Sequence, residues 1–214
     1  MLPKERVLET FKSSLPKKPY CSYKLSEGLS IWPAELALKT NYIQPNSPMS
    51  IHWMVIDIDR PESALLYEKL NLPTPNIIVI NKTNGHSHYY YKVDEVYTSK
   101  NASIKAQRYY EAVKKAYVKA LDADPAYTGL IAKNPVSDQW LTLYLTAHEY
   151  QLGELASHVK LESLFIPKSR KIRDEDGRNV QLFDTLRFWA YANKKKLSIG
   201  RGFLCWLFGQ SKRD

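Results

Sequence analysis

Cysteine is scarce in this sequence, which has only Cys21 and Cys205 among its 214 residues. Two cysteines so far apart form neither a Cys-x-x-Cys pair nor a zinc-finger spacing, so no disulfide framework and no zinc site are indicated. Apolar runs of the about 20 residues that a membrane span needs are also missing. The start, MLPKERVLETFKSSLPKKPY, lacks an apolar signal core. We therefore expect a cytoplasmic protein with no membrane partner.

Basic residues outnumber acidic ones. The chain has 31 Lys or Arg and 22 Asp or Glu, a formal net charge of +9 at pH 7. The excess is concentrated in residues 160–214, where 13 basic residues accompany six acidic ones. Such a segment favours a polyanionic partner, with nucleic acid ahead of an acidic membrane. Ordinary solubility is the alternative explanation of the same charge.

Apolar periodicity divides most of the chain into helices and strands. It predicts helices over residues 4–14, 33–43, 101–122 and 150–164. It predicts strands over residues 51–58, 76–80 and 86–93. Asn84-Gly85 is a strong turn signal that predicts a hairpin between the last two strands. Residues 126–145 fit strand or loop, and the mixture without regular βαβ alternation predicts an α+β fold.

A polar stretch, PKSRKIRDEDGRN over residues 167–179, is the best predicted domain boundary. Beyond it, one helical face collects large apolar residues: Leu182, Phe183, Leu186 and Trp189. This organisation predicts three parts: a domain over residues 1–166, a linker over 167–178 and a helical module over 179–214.

The stretch HWMVIDIDRP, residues 52–61, places two carboxylates at the end of an apolar strand. Side chains alternate along a strand, so Asp57 and Asp59 lie on one face. Carboxylates this close raise each other's pKa unless a cation lies between them. Mg²⁺ or Mn²⁺ prefers such ligands, and a pair of ions can serve phosphoryl transfer. A strand that simply ends in solvent is the alternative.

Two other pairs could complete a site. His86 and His88 share a strand face and could bind metal, exchange protons or contact phosphate, although an edge strand can also carry two histidines. Asp122 and Asp124 follow the long helix, where Asp-Pro often starts a turn. Either acid could be a third metal ligand, provided that the fold brings it to the strand end.

Lys133 and Asn134 lie in a polar island between apolar stretches. Lys133 could neutralise phosphate and Asn134 could hydrogen-bond a base or a sugar, while a capped loop explains both equally well. Fifteen Tyr and five Trp add aromatic surface on which bases could stack, although most of these rings belong in a core.

Read together, these pieces resemble the Rep (replicase) family of colicin-type plasmids, within the archaeo-eukaryotic primase superfamily. The resemblance covers about residues 7–193 and rests on seven blocks in order: LPKKPYC (15–21), DIDR (57–60), PNI (75–77), NGHSH (84–88), ADPAYTGLIAKNP (123–135), YQLGEL (150–155) and GRNVQLF (177–183). Each block is weak alone, and the ordered set is specific.

The resemblance implies a primase-type catalytic domain, with small mixed or antiparallel sheets and flanking helices, followed by a short C-terminal helical module. Family members bind a plasmid origin and make a short RNA primer from ribonucleoside triphosphates, which a host DNA polymerase extends. The resemblance identifies Asp57, Asp59 and Asp124 as catalytic ligands of two Mg²⁺ or Mn²⁺ ions. Asp122 competes with Asp124 as the third acid.

The resemblance also assigns His88 to the catalytic site and to contact with the triphosphate of the incoming nucleotide. Four further residues are expected to bind nucleotide: His86, Lys133, Asn134 and Arg60. Family members continue into a longer C-terminal region that recognises the origin duplex, whereas this sequence stops at SKRD, residues 211–214. The resemblance therefore does not extend to autonomous origin binding, while the basic tail could still bind DNA non-specifically.

Two rival functions also fit parts of the sequence. A rolling-circle nicking nuclease could use His86 and His88 for metal and Tyr110 as nucleophile, with Lys114 one turn away. Ser87, between the histidines, and the presence of Asp57 and Asp59 argue against that function. The second rival is a non-enzymatic DNA-binding initiator.

Overall fold

The computed structural model describes residues 3–99 and 102–162. The chain divides into two units, Met1–Leu164 and Phe165–Asp214. The predicted C-terminal helical module lies outside the described residues, and the predicted boundaries around the linker stay a prediction. Within the first unit the fold is α+β with antiparallel sheets, as the sequence predicts.

Over the described residues, the strands are β1 (Tyr20–Ser22), β2 (Ser30–Ile31), β3 (Tyr42–Ile43), β4 (Ser50–Ile58), β5 (Ile77–Asn81), β6 (Ser87–Tyr97), β7 (Ala132–Lys133) and β8 (Trp140–Tyr144). The α-helices are α1 (Pro3–Ser14), α2 (Ala34–Ala37), α3 (Leu66–Lys69), α4 (Ile104–Ala120) and α5 (Leu152–Ser157).

These strands form two four-stranded antiparallel sheets. The first sheet has the order β2-β1-β3-β7 and consists of short strands. The second has the order β4-β6-β5-β8 and contains the long apolar strands. The predicted hairpin is confirmed, because β5 pairs with β6 in the register Ile77↔Tyr90 and Gly85 takes a positive φ of 74° in the turn.

Side chains alternate along the strands of the second sheet, so its two faces pack into two separate hydrophobic cores. One face, which includes Met54 and Tyr89, packs against α4. The opposite face, which includes Trp53 and Tyr90, packs against Phe11 of α1 and against the first sheet. Burial of each such large side chain contributes about 1.5–3 kcal/mol, so the apolar run before Asp57 anchors its strand end firmly.

The central strands agree with the prediction, and two predicted helices are too long. The helix predicted over 33–43 ends after Ala37, because the Thr40 hydroxyl donates to the Ala37 carbonyl and residues 42–43 pair as β3 instead. The helix predicted over 150–164 spans only Leu152–Ser157 within the described residues. Tyr150 is held by a parallel bridge to Val93, which keeps it out of the helix.

The segment over 126–145, which fitted strand or loop, contains both. β7 and β8 are separated by a turn at Asn134 and Pro135. In the part of the chain that the structure describes, no helix is long and apolar enough to span a bilayer.

Candidate active site

The antiparallel pairing of β4 with β6 brings the predicted acids and histidines together. Asp57 lies opposite His88 in the register, with His88 Nε2 2.9 Å from Asp57 Oδ1. Just beyond the strands, His86 Nδ1 lies 3.1 Å from Asp59 Oδ1. The Asp57 side chain is 16% exposed and that of Asp59 57% exposed. Of the two acid–imidazole pairs, Asp57–His88 is therefore in the interior and Asp59–His86 is at the surface.

The loop after α4 supplies a third carboxylate. The Asp124 amide donates to the Asp57 carbonyl at 2.9 Å, which fastens this loop to the end of β4. One ligand oxygen from each of Asp57, Asp59 and Asp124 lies within 4.8 Å of the other two. Asp122 lies outside this cluster, with its side chain 89% exposed. The geometry therefore favours Asp124 over Asp122 as the third acid.

Asp57 is held as a carboxylate by two neighbours. Burial alone would raise the pKa of Asp57, but the hydrogen bonds from His88 and Lys133 and the positive charge of Lys133 outweigh burial and lower it. Lys133 Nζ lies 3.4 Å from Asp57 Oδ1, the same oxygen that His88 contacts. The second oxygen of Asp57 therefore remains for a ligand.

The hydrogen bonds of His88 define its tautomer. The Lys133 amide can only donate, and it donates to His88 Nδ1 at 3.2 Å. Nδ1 is therefore the acceptor, and Nε2 carries the proton that it donates to Asp57. Burial lowers the pKa of His88, against the hydrogen bond with Asp57 that raises it. A neutral imidazole, 5% exposed, thus links β7 to the carboxylate.

The outer edge of β7 is docked against side chains of β6. Lys133 uses its amide for His88, and its carbonyl accepts from the Tyr90 hydroxyl at 2.6 Å. Burial lowers the pKa of the Lys133 ammonium, and the nearby Asp57 charge raises it. This docking carries the Lys133 side chain to the carboxylate cluster.

Asn134 is fully engaged within the protein. Its amide nitrogen donates to the carbonyls of Leu38 and Thr40, and its Oδ1 accepts from the Val136 amide. The residue is 0% exposed. These contacts fix the turn after Lys133 and leave no group directed to a ligand, so nucleotide binding by Asn134 stays a prediction that the contacts do not support.

Arg60 connects the two loops that carry the acids. Its Nη2 donates to the Leu121 carbonyl at 3.0 Å, and its Nη1 lies 3.8 Å from Asp122 Oδ2. The guanidinium therefore ties the segment after Asp59 to the end of α4. Sequence reasoning missed this link because no local pattern pairs residues so far apart. The nucleotide-binding role of Arg60 stays a prediction.

Two tyrosines near Asp57 were also missed as neighbours of the site. The Tyr127 ring centroid lies 5.2 Å from that of His88. Burial and then the charge of Asp57 raise the pKa of Tyr42, which pairs with Lys133 across β3 and β7. Only the pairing of distant strands places Tyr42 here, and no local signal could have found it.

The three carboxylates fit a divalent cation. Mg²⁺ and Mn²⁺ take oxygen ligands, and acids grouped this closely suit one ion or two ions about 3.5–4 Å apart. Asp57, which is ionised, and the exposed Asp59 offer such oxygens beside the oriented Asp124. The cluster can therefore hold a metal ion.

The proposed nucleophile of the rival nicking nuclease is inaccessible. Tyr110 is 4% exposed within the core beneath α4, and burial raises its pKa. A buried phenol cannot reach a DNA phosphate, so the nicking role of Tyr110 is wrong. His86 and His88 also contact Asp59 and Asp57, rather than forming an independent metal-binding pair.

The fold is similar to that of a solved AEP (archaeo-eukaryotic primase) domain. The chain is similar to the AEP domain of the cyanophage S-2L primase-polymerase (PrimPol, PP-N190), with a TM-score of 0.50 and 11% sequence identity. The similarity covers 73% of this chain and 98% of that chain. The chain itself belongs to the Replicase family, whose model matches residues 14–159. No curated protein sequence matches it.

Proposed function

We propose that this Replicase-family protein is a plasmid replication initiator with primase activity. It synthesises a short RNA primer from ribonucleoside triphosphates on a DNA template, by two-metal phosphoryl transfer. The observation that carries the proposal is the clustering of Asp57, Asp59 and Asp124 within 4.8 Å, at the end of a strand paired with His88. Membership of the Replicase family and the AEP fold support the same activity.

In the proposed reaction, the three acids would be the ligands of the metal ions. Two bound Mg²⁺ or Mn²⁺ ions would lower the pKa of the primer 3′-hydroxyl and stabilise the charge of the triphosphate. The 3′-oxygen attacks the α-phosphorus, its proton passes to solvent, and the bond to pyrophosphate breaks. The protein contributes mainly position and charge, as is general for phosphoryl transfer.

The side chains next to the three acids differ in how accessible they are to a nucleotide. His86 is 30% exposed next to Asp59 and is suited to contact a triphosphate. Lys133 offers a cation at the inner side of the cluster, close to Asp57. His88 holds Asp57 through Nε2, and a direct contact with the triphosphate would require one of its two hydrogen bonds to open. We therefore assign His88 first to positioning Asp57.

The proposed partners follow the resemblance to replicases of colicin-type plasmids. The template is DNA at a plasmid origin, the substrates are ribonucleoside triphosphates, and a host DNA polymerase extends the primer. The expected location is the cytoplasm, where these partners occur.

The direct test is incorporation of labelled ribonucleotides on a single-stranded DNA template with Mn²⁺ or Mg²⁺. We expect short products from the wild-type chain. Asp57→Asn and Asp59→Asn should reduce synthesis by at least about 100-fold, because each removes a charged metal ligand. Asp122→Asn is the matched control, since this exposed acid lies next to the cluster and Asn tolerates the positive φ of 50° there.

The outcomes separate the rival functions. Full activity of Asp57→Asn or Asp59→Asn would refute the assignment of the acids. A covalent tyrosine–DNA adduct would indicate a nicking enzyme. DNA binding by a folded wild-type chain without any nucleotide incorporation would indicate a non-enzymatic initiator.

A further inference from the structure

The first sheet has one face that packs in the core and an opposite face that starts beside the carboxylate cluster. Cys21, Ile43 and Ala132 are adjacent in the register and 0% exposed in the core. Because cross-strand partners share a face, their chain neighbours Ser22, Tyr42 and Lys133 lie on the other side. Lys133 approaches Asp57, so this second face begins at the candidate active site.

The same face continues to the edge of the sheet. Tyr20, two residues before Ser22, shares its face and pairs with Ile31 of β2. We call the set Lys133, Tyr42, Ser22, Tyr20 and Ile31 the site face. Its outer part is open, with Tyr20 37% and Ile31 56% exposed. Four strands at about 4.8 Å spacing span about 14 Å, which exceeds the rise of a single nucleotide.

Lysines are concentrated in the stretch of sequence that carries β1, β2 and β3. Residues 12–44 contain five lysines and two glutamates, with no arginine or aspartate. Lys17 and Lys18 precede β1 and Lys39 precedes β3, and all three are exposed. Among the described residues, no carboxylate pairs with these three ammonium groups, whereas Lys24 pairs with Glu27. The charge suits an anionic ligand.

The open ring of Tyr20 and the unpaired lysines together fit one kind of ligand. Single-stranded nucleic acid offers flat bases for stacking and a phosphate backbone for the lysines. We infer that the site face binds the single-stranded DNA template and directs it from Tyr20 past Tyr42 to the carboxylates. This inference rests on the proposed function, because it names the path of that activity's template.

The first test is binding of a fluorescent 12-nucleotide oligo(dT) to the full chain, by anisotropy in EDTA so that no metal contributes. Tyr20→Ala should weaken binding about 5- to 100-fold through loss of one stacked base, and Tyr20→Phe should restore it. The control is Tyr97→Ala, because Tyr97 is 59% exposed in the second sheet, outside the site face. We expect binding within twofold of wild type for the control.

A second variant tests the charge argument. Ile31→Glu places an anion on exposed edge strand β2 and should weaken binding at least about fivefold. Leu141→Glu is matched to it, because Leu141 is 50% exposed on edge strand β8 of the second sheet. This control should bind as the wild type does.

Photo-crosslinking locates the strand independently of affinity. Oligo(dT) with one 5-iododeoxyuridine should crosslink to a peptide within residues 17–44. Four outcomes would each overturn the inference. Two concern the site: crosslinks confined to residues 165–214, or equal binding of oligo(dT) by Tyr20→Ala and wild type. Two concern the ligand: equal affinity for duplex DNA, or self-association through β2 in place of DNA binding. Asp57→Asn should lose primer synthesis and still bind oligo(dT). A wrong assignment of the template path and a wrong assignment of the primase activity therefore give different results.

Discussion

The backbone amide of Asp124 donates a hydrogen bond to the backbone carbonyl of Asp57 at 2.9 Å. These residues are far apart in the chain, and this bond fixes the loop after α4 to the end of β4. The third carboxylate is therefore positioned by backbone geometry, which a change of its side chain leaves in place. Asparagine substitutions at Asp124 can thus test ligand chemistry with the loop intact.

Asp124→Asn should weaken Mn²⁺ binding by at least about tenfold, because it removes one anionic ligand from the cluster. Electron paramagnetic resonance of free Mn²⁺ measures this directly. Asp122→Asn should change the affinity less than twofold, since the Asp122 side chain is 89% exposed and lies outside the cluster. The reverse order of effects would identify Asp122 as the ligand.

His88→Phe should lower the free energy of unfolding by about 2 kcal/mol, because it leaves the Lys133 amide without an acceptor and removes one of the two donors to Asp57 Oδ1. It should also reduce primer synthesis. Urea denaturation measures the stability. His148→Phe is the control, because the His148 side chain is 51% exposed, and we expect a change below about 0.5 kcal/mol. Equal stability of both variants would contradict the positioning role.

Gly85→Ala should cost more stability than Gly153→Ala. Gly85 has a φ of 74°, where a side chain costs about 1–2 kcal/mol of backbone strain. A Cβ on Gly85 would also lie 3.2 Å from Pro61 Cα, whereas one on Gly153, in α5, would meet nothing within 4 Å. We expect a loss of at least about 1 kcal/mol at Gly85 and none at Gly153, measured by urea denaturation, together with weaker Mn²⁺ binding at Gly85 through displacement of the segment after Asp59. Equal stability of both variants would contradict the conformation and the close contact of Gly85.

Alkaline pH should destabilise the fold through its buried tyrosines. Burial raises the pKa of Tyr89 and of Tyr150 to about 12, from about 10 in the unfolded chain. The folded state holds these protons more tightly, so their contribution to stability is complete below pH 10 and is lost as the pH rises to 12. Absorbance at 295 nm should show late phenol ionisation that coincides with loss of circular dichroism. Full ionisation near pH 10 in a folded chain would contradict this burial.

Much of the local structure could be predicted from the sequence, because it depends on near neighbours. The apolar run before Asp57 indicated β4, and Asn84-Gly85 indicated the hairpin that carries His88. Alternation put Asp57 and Asp59 on one face. Alternation could not identify the strand that pairs with β4, because that strand, β6, lies about 30 residues away in the chain.

The remaining features depend on tertiary contacts. The choice between Asp122 and Asp124 required the loop geometry, in which Asp122 adopts a φ of 50° and Asp124 then bonds to Asp57. Asn134 looked available for a ligand, yet its amide is used by Leu38 and Thr40. The short strands β1 and β2 had too few residues for a periodic signal, so the first sheet was not foreseen.

The most direct measurement is the anomalous difference map of crystals grown with Mn²⁺ and a non-hydrolysable ribonucleoside triphosphate. We expect one or two Mn²⁺ peaks within about 2.0–2.3 Å of carboxylate oxygens from Asp57, Asp59 and Asp124, with the triphosphate beside them. An ordered nucleotide with Mn²⁺ bound elsewhere, and no peak at these three acids, would contradict it.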